Sequence, residues 1–138
     1  MDSSDRTPAF FNQFSQGRLP GLLGVDITEI APGRVRARLP VRPELLAPNG
    51  YLHAGTVVAF ADTCAGYGCI ASLPEGLSSF TTIDLSSNFL GTARSGVIAT
   101  EALMRHGGRT TQIWDVTVTH EENNKVIALF RCTQLLLK

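Results

Sequence analysis

Between Leu45 and Pro74 this 138-residue chain carries one formally charged side chain, Asp62, and no other stretch restricts its fold as much. From Ala54 to Leu73 the residues follow helical spacing, and Pro74-Glu75-Gly76 stops the pattern. A helix built from Ala, Val, Phe, Cys and Gly belongs in a core. As a membrane span it would put Asp62 near the bilayer centre at a cost of about 2.5–3.5 kcal/mol, in a segment already thinned by glycines and His53. The expectation is therefore a buried helix in a water-soluble domain.

Around this helix the pattern changes. Thr7-Pro8 reads as an N-cap followed by proline at the first helical position, with Phe10, Phe11 and Phe14 on one side of a short helix that ends near Gly17. In "LPGLLGVDITEIAPGRVRARLPV" the Ala-Pro-Gly at 31–33 reads as a hairpin turn between two alternating runs. On the second run Val35, Ala37, Leu39 and Val41 face one way, and Arg34, Arg36 and Arg38 face solvent. After the helix come "SFTTIDLSSNFL", "GVIATEALMRH", "TTQIWDVTVTH" and "KVIALFRCTQLLLK", all rich in β-branched or aromatic residues and separated by short turns. These four strands predict an antiparallel meander. With no βαβα repeat, the fold class is α+β: one long central helix wrapped by a curved antiparallel sheet of about six strands.

Length and composition agree with a single domain over residues 1–138, with 1–18 as a helical arm. Twelve basic and twelve acidic residues cancel, which argues against nucleic-acid and membrane-surface partners, so any anionic ligand needs a local cluster. Cys64, Cys69 and Cys132 are odd in number and form no CxxC pair, against a disulfide framework and against a zinc site. The polar start, "MDSSDRTPAFF", lacks the basic and apolar regions of an export signal, and a cytoplasmic location is expected.

Asp62 has Val58, Ala59, Ala65 and Gly66 three and four residues away, so no charged partner accompanies it on its own helix. A carboxylate in such surroundings is costly unless it is used. His53 stands at the helix start, where it serves as a cap or as a site residue, and Ala54-Gly55 behind it leave the first N–H groups accessible to a developing oxyanion. Ala54 to Asp62 is about 12 Å along a helix, too far for both to touch one carbonyl carbon. Two antiparallel helices related by a two-fold axis would bring the start of each beside the Asp62 of the other. A homodimer with composite sites is the expectation. "MRHGGRT" supplies the best anion cluster, with Arg105, His106 and Arg109 around Gly107 and Gly108; Arg94 is a weaker candidate. Cys64 reads as a small core hydrophobe.

"HAGTVVAFAD", with "TTIDLSSNFLGTARSG" and "MRHGGRTTQIWDVTV", resembles the hotdog-fold acyl-CoA thioesterases, in particular the PaaI-like branch related to 4-hydroxybenzoyl-CoA thioesterases. The resemblance runs from about Leu19 to Leu137. It implies hydrolysis of a coenzyme A thioester with an aryl or medium-chain acyl group, without metal or cofactor, by a dimer or a dimer of dimers. Asp62 matches the general base or nucleophile, and the Ala54 N–H matches the oxyanion donor, although relatives usually have Gly there. His53 matches a residue that shapes the loop and contacts the thioester. Thr82 matches a hydroxyl that positions water. The family's amide usually stands six residues before the histidine, where this chain has Ala47; Asn49, four before it, is the candidate. A non-catalytic acyl-CoA-binding protein is the alternative, and a hotdog hydratase a third.

Overall fold

The computed structural model describes residues 6–138, so the first five residues of the predicted arm lie outside it. Two short helices, α1 (Pro8–Phe14) and α2 (Leu19–Leu23), precede β1 (Asp26–Ala31) and β2 (Arg34–Pro40). The long helix α3 (Ala54–Ala71) follows, and then β3 (Ser79–Phe89), β4 (Val97–Gly107), β5 (Thr111–His120) and β6 (Val126–Leu137). Thr7 caps α1 through its Oγ1, as the Thr-Pro pair predicts. Leu19–Leu23 was expected at the head of an alternating run; proline at its second position and Gly24 at φ +91° make it a helix instead.

The six strands form one antiparallel sheet in the order β1-β2-β4-β5-β6-β3. This corrects the expected four-strand meander. β4, β5 and β6 do follow one another, but β3 pairs with β6 at the far edge. The helix sets this order: α3 leaves β2 near one edge, crosses the sheet and delivers the chain to the other. Residues 90–96 then lead back past the start of β6, where the Leu90 and Gly91 N–H groups donate to the Ile127 carbonyl.

Alternation decides which side chains meet α3. Val35, Ala37 and Leu39 of β2, Ile98 and Ala102 of β4, Trp114, Val116 and Val118 of β5 and Phe130 and Cys132 of β6 are buried against it. On the outer face Arg34 and Arg36 pair with Glu101, and Arg38 with Glu121, exposed pairs worth at most about 1 kcal/mol each. α3 has the length and composition of a membrane span, yet more than half of it is buried inside the fold. Gly68 makes that depth possible, because the fully buried Trp114 ring occupies the space where a Cβ would sit.

The arm is tied to the helix. Ser15, buried, shares a 2.6 Å hydrogen bond with the Tyr67 hydroxyl and donates to the Phe11 carbonyl. The Phe11 and Tyr67 rings lie 4.8 Å apart.

Candidate active site

The site begins with the loop that delivers the chain to α3. The Leu46–Leu52 bridge closes residues 46–52 into a small loop, turned at Gly50 with φ +87°. The Leu52 N–H donates to the Ala93 carbonyl and the His53 N–H to the Leu45 carbonyl, which anchors the helix start. His53 is the N-cap: its Nδ1 accepts from the Gly55 N–H at 2.7 Å. That bond fixes the imidazole with Nδ1 unprotonated and Nε2 available to the exterior. The Ala54 N–H, exposed, finds no acceptor among the described residues. Sequence reasoning left both first N–H groups open; the structure closes one and leaves the other.

Asn49 is exposed, and its Oδ1 accepts from the Tyr51 N–H at 3.1 Å. The turn therefore uses the amide oxygen and leaves the amide nitrogen as the outward donor. Arg94 lies 4.3 Å above the Tyr51 ring, close to the same mouth.

Asp62 lies half-buried in the middle of α3. Thr82 on β3 places its Oγ1 3.0 Å from Asp62 Oδ1, within hydrogen-bond distance. Burial pushes the Asp62 carboxyl above its ordinary range, and the Thr82 bond partly offsets this. One helical turn on, the Phe80 ring rests on Gly66, where a Cβ would come within 2.7 Å of it. An aromatic wall thus stands beside the carboxylate. Cys64 is fully buried, bonded to Thr100 and pushed up to about 12, in keeping with a core role.

Asp62 and Ala54 remain eight residues apart on one straight helix, and their side of it is a strip of Gly55, Val58, Ala59 and Asp62 that the sheet leaves partly uncovered. The 107–111 turn lies at the opposite end, beside the helix C-terminus. There Gln112 donates to the Ser72 carbonyl, and the Gly33 N–H donates to Ser72 Oγ.

The predicted anion cluster is divided. Arg105 is the extra residue of a β-bulge between Met104 and His106, and its Nε sits 3.0 Å from Asp115 Oδ2 on the outer face, beside Arg131. Asp115 engages this guanidinium and that of Arg131 together, one carboxylate serving two cations. Arg109 has no carboxylate partner among the described residues. His106 packs on Gly108, and Met104 packs on Gly107. Among the described residues no three His, Cys, Asp or Glu side chains gather as metal ligands. Sequence reasoning missed Gln134, fully buried within 2.8 Å of Thr82. Its signal was a polar residue on the inward face of β6, two residues from Cys132 and Leu136.

The family profile of the Thioesterase superfamily matches residues 49–127, more than half of the chain and the whole of this site apart from Gln134. The chain belongs to this superfamily. A thioesterase of Haemophilus influenzae, HI1161, superposes with a TM-score of 0.89 at 29% identity, over 96% of this chain and 91% of that one. The 1,4-dihydroxy-2-naphthoyl-CoA hydrolase of Listeria monocytogenes is 29% identical over 80% of this chain and 89% of its own length. The PaaI protein of the Escherichia coli phenylacetic acid degradation operon shares the fold, with a TM-score of 0.84 at 23% identity over 99% and 97% of the two chains. The fold is thus the hotdog fold and the protein a thioester hydrolase.

Proposed function

We propose that this thioesterase hydrolyses a coenzyme A thioester, with an aryl or medium-chain acyl group, to the free acid and coenzyme A. The observation that carries the reading is Asp62: a lone half-buried carboxyl, held by Thr82 and raised by burial toward the range where a carboxylate takes protons efficiently. The thioester carbonyl oxygen docks at the Ala54 N–H of a neighbouring subunit, where the positive end of the helix favours the oxyanion. His53 Nε2 and the Asn49 amide nitrogen flank that position as donors. Asp62 takes a proton from water as it attacks the carbonyl carbon, or attacks directly to form an anhydride that water then opens. In either route the thiolate of coenzyme A leaves and regains a proton. Thr82 keeps the carboxylate oriented, and the reaction needs no metal or cofactor.

Two features support a second copy of the chain as the missing half. The strip of Gly55, Val58 and Ala59 beside Asp62 is small enough for a second helix to approach closely, and β3 ends the sheet with an unpaired edge. Two such edges joined across a two-fold axis would set the helices antiparallel; a dimer of dimers extends the same symmetry.

With the thioester at Asp62, the Gly107–Arg109 turn lies beyond the helix C-terminus, about 13 Å farther along from Asp62 to Ala71. That reach suits the phosphates of coenzyme A, with Arg109 as the cation. The Phe80 ring on Gly66 favours an aryl acyl group, and the name of the Listeria relative points the same way. The reading places the enzyme in the cytoplasm, acting on small molecules and not on nucleic acid or membranes. The test is Asp62→Asn assayed against aryl and medium-chain acyl-CoAs: turnover falls while binding persists, and unchanged turnover would refute the assignment. Binding of a CoA ester by the unaltered protein without hydrolysis would instead establish the non-catalytic alternative.

A further inference from the structure

Thr82 has one hydroxyl proton and two acceptors. Its Oγ1 lies 3.0 Å from Asp62 Oδ1 and 2.8 Å from Gln134 Oε1. It can donate to only one of them, so one of the two neighbours must donate to it. Gln134 is fully buried, faces Thr82 as its cross-strand partner, and turns its amide nitrogen to Cys132 Sγ at 3.5 Å. In this arrangement every group is satisfied only when Asp62 carries a proton: Asp62 donates to Thr82, Thr82 to the Gln134 oxygen, and Gln134 to the sulfur.

When Asp62 ionises, the chain of bonds must run the other way. A half-turn of the Gln134 amide exchanges its oxygen and nitrogen. The nitrogen then donates to Thr82, Thr82 donates to the Asp62 carboxylate, and the Cys132 thiol donates to the Gln134 oxygen. The thiol can serve both states because burial holds it up to about 12, so it keeps its proton. β3 fixes the geometry, since its bulge falls at Ile83, directly after the Thr82–Gln134 pair.

We propose that Gln134 is a positioning residue for Asp62: its amide turns over as the carboxyl gains or loses its proton, so that Thr82 bonds in whichever direction the carboxyl needs. The inference rests on the thioesterase reading only for its effect on turnover. Within the chain, burial chiefly raises the Cys132 thiol on β6, and Asp62, Cys69 on α3 and Asp115 on β5 add to it. Asp62 itself is raised by burial and lowered by the Thr82 bond.

The test titrates the full-length protein by NMR, following the Asp62 side-chain carboxyl carbon and the Gln134 side-chain amide. In the unaltered protein both titrate with one midpoint. In Thr82→Val the Asp62 carboxyl still titrates and the Gln134 amide no longer follows it. Gln134→Met, similar in size but a poor partner in either direction, leaves the part-buried Thr82 proton no acceptor but Asp62, which favours the carboxylate and moves the Asp62 midpoint to lower pH. The acid limb of the kcat/KM profile moves to lower pH with that midpoint, and kcat/KM changes less than about twofold at the alkaline end, with KM unchanged. A Gln134 amide that stays fixed while Asp62 titrates overturns the proposal, even if Asp62→Asn is inactive. Conversely, full turnover by Asp62→Asn would sink the catalytic reading and leave the NMR coupling to stand or fall by itself.

Discussion

Asp62 and Thr82 belong to elements of opposite character, one on the helix at the centre of the fold and the other on the outermost strand, and a single 3.0 Å hydrogen bond joins them. The carboxyl is thus kept in place from the one side of α3 where another subunit would approach. Burial and this bond act in opposite directions on its ionisation, and burial is the larger effect.

Replacing Asp62 by Asn should separate activity from stability. If the carboxylate is the general base, turnover falls on the order of 10²–10⁴. The stability change has the opposite sign. A carboxyl raised above its ordinary value of 3.8 leaves the fold most stable below that value, and this contribution is lost as pH rises through the folded-state value. Asp62→Asn should therefore melt higher than the parent at neutral pH, and the gap should close towards pH 3. Thermal melts across pH check this; a gap that widens in acid refutes it.

Two glycines of α3, Gly66 and Gly68, should differ in their response to a methyl group. Gly68→Ala drives a Cβ to within 2.5 Å of Trp114, a fully buried ring pinned by its bond to Gln112. A loss of about 1–3 kcal/mol, measured by denaturant unfolding, is expected. Gly66→Ala meets only the half-buried Phe80, which can move aside, so stability falls less. Its main effect should be on the acyl group accepted, read as a larger rise in KM for aryl than for straight-chain CoA esters.

Arg109 and Arg105 should prove unequal. Arg109→Ala should raise KM for CoA esters several-fold with little change in kcat, more strongly at low than at high salt. Arg105→Ala should change KM by less than about twofold, because Asp115 already engages that guanidinium. Steady-state kinetics at two ionic strengths decide between them, and equal effects would return Arg105 to the coenzyme site.

Ser15→Ala should loosen the arm. It leaves the Tyr67 hydroxyl without its partner, at a cost of about 1–3 kcal/mol by denaturant unfolding. Tyr67→Phe should cost less, because Ser15 still donates to the Phe11 carbonyl.

Much of this architecture was legible because its signals are local. The helical spacing of 54–73, the Ala31–Gly33 turn and the arginine side of β2 each follow from a period or a turn within one segment. The place of β3 was not legible: "SFTTIDLSSNFL" alternates the same way whichever strand it joins, and only the path of α3 sends it to β6. The division of the arginines was hidden for a related reason. The bulge at Arg105 and the facing Asp115 come from two strands whose register no single segment records. Gln134 was within reach, as a polar residue on an apolar face, but its value depends on Thr82 across the ladder. Asp62 announced itself by isolation.

The exposed edge of β3 carries Ile83, Leu85 and Phe89, with Leu90 just beyond, all at least two-fifths exposed. If another copy completes that edge and brings its Ala54 to Asp62, catalytic sites are created only by encounters between chains. The number of working sites would then fall faster than the amount of protein on dilution, and a cell making little of the enzyme would hold molecules with no finished site. Specific activity plotted against enzyme concentration would bend downwards at the low end, at the point where the chains come apart.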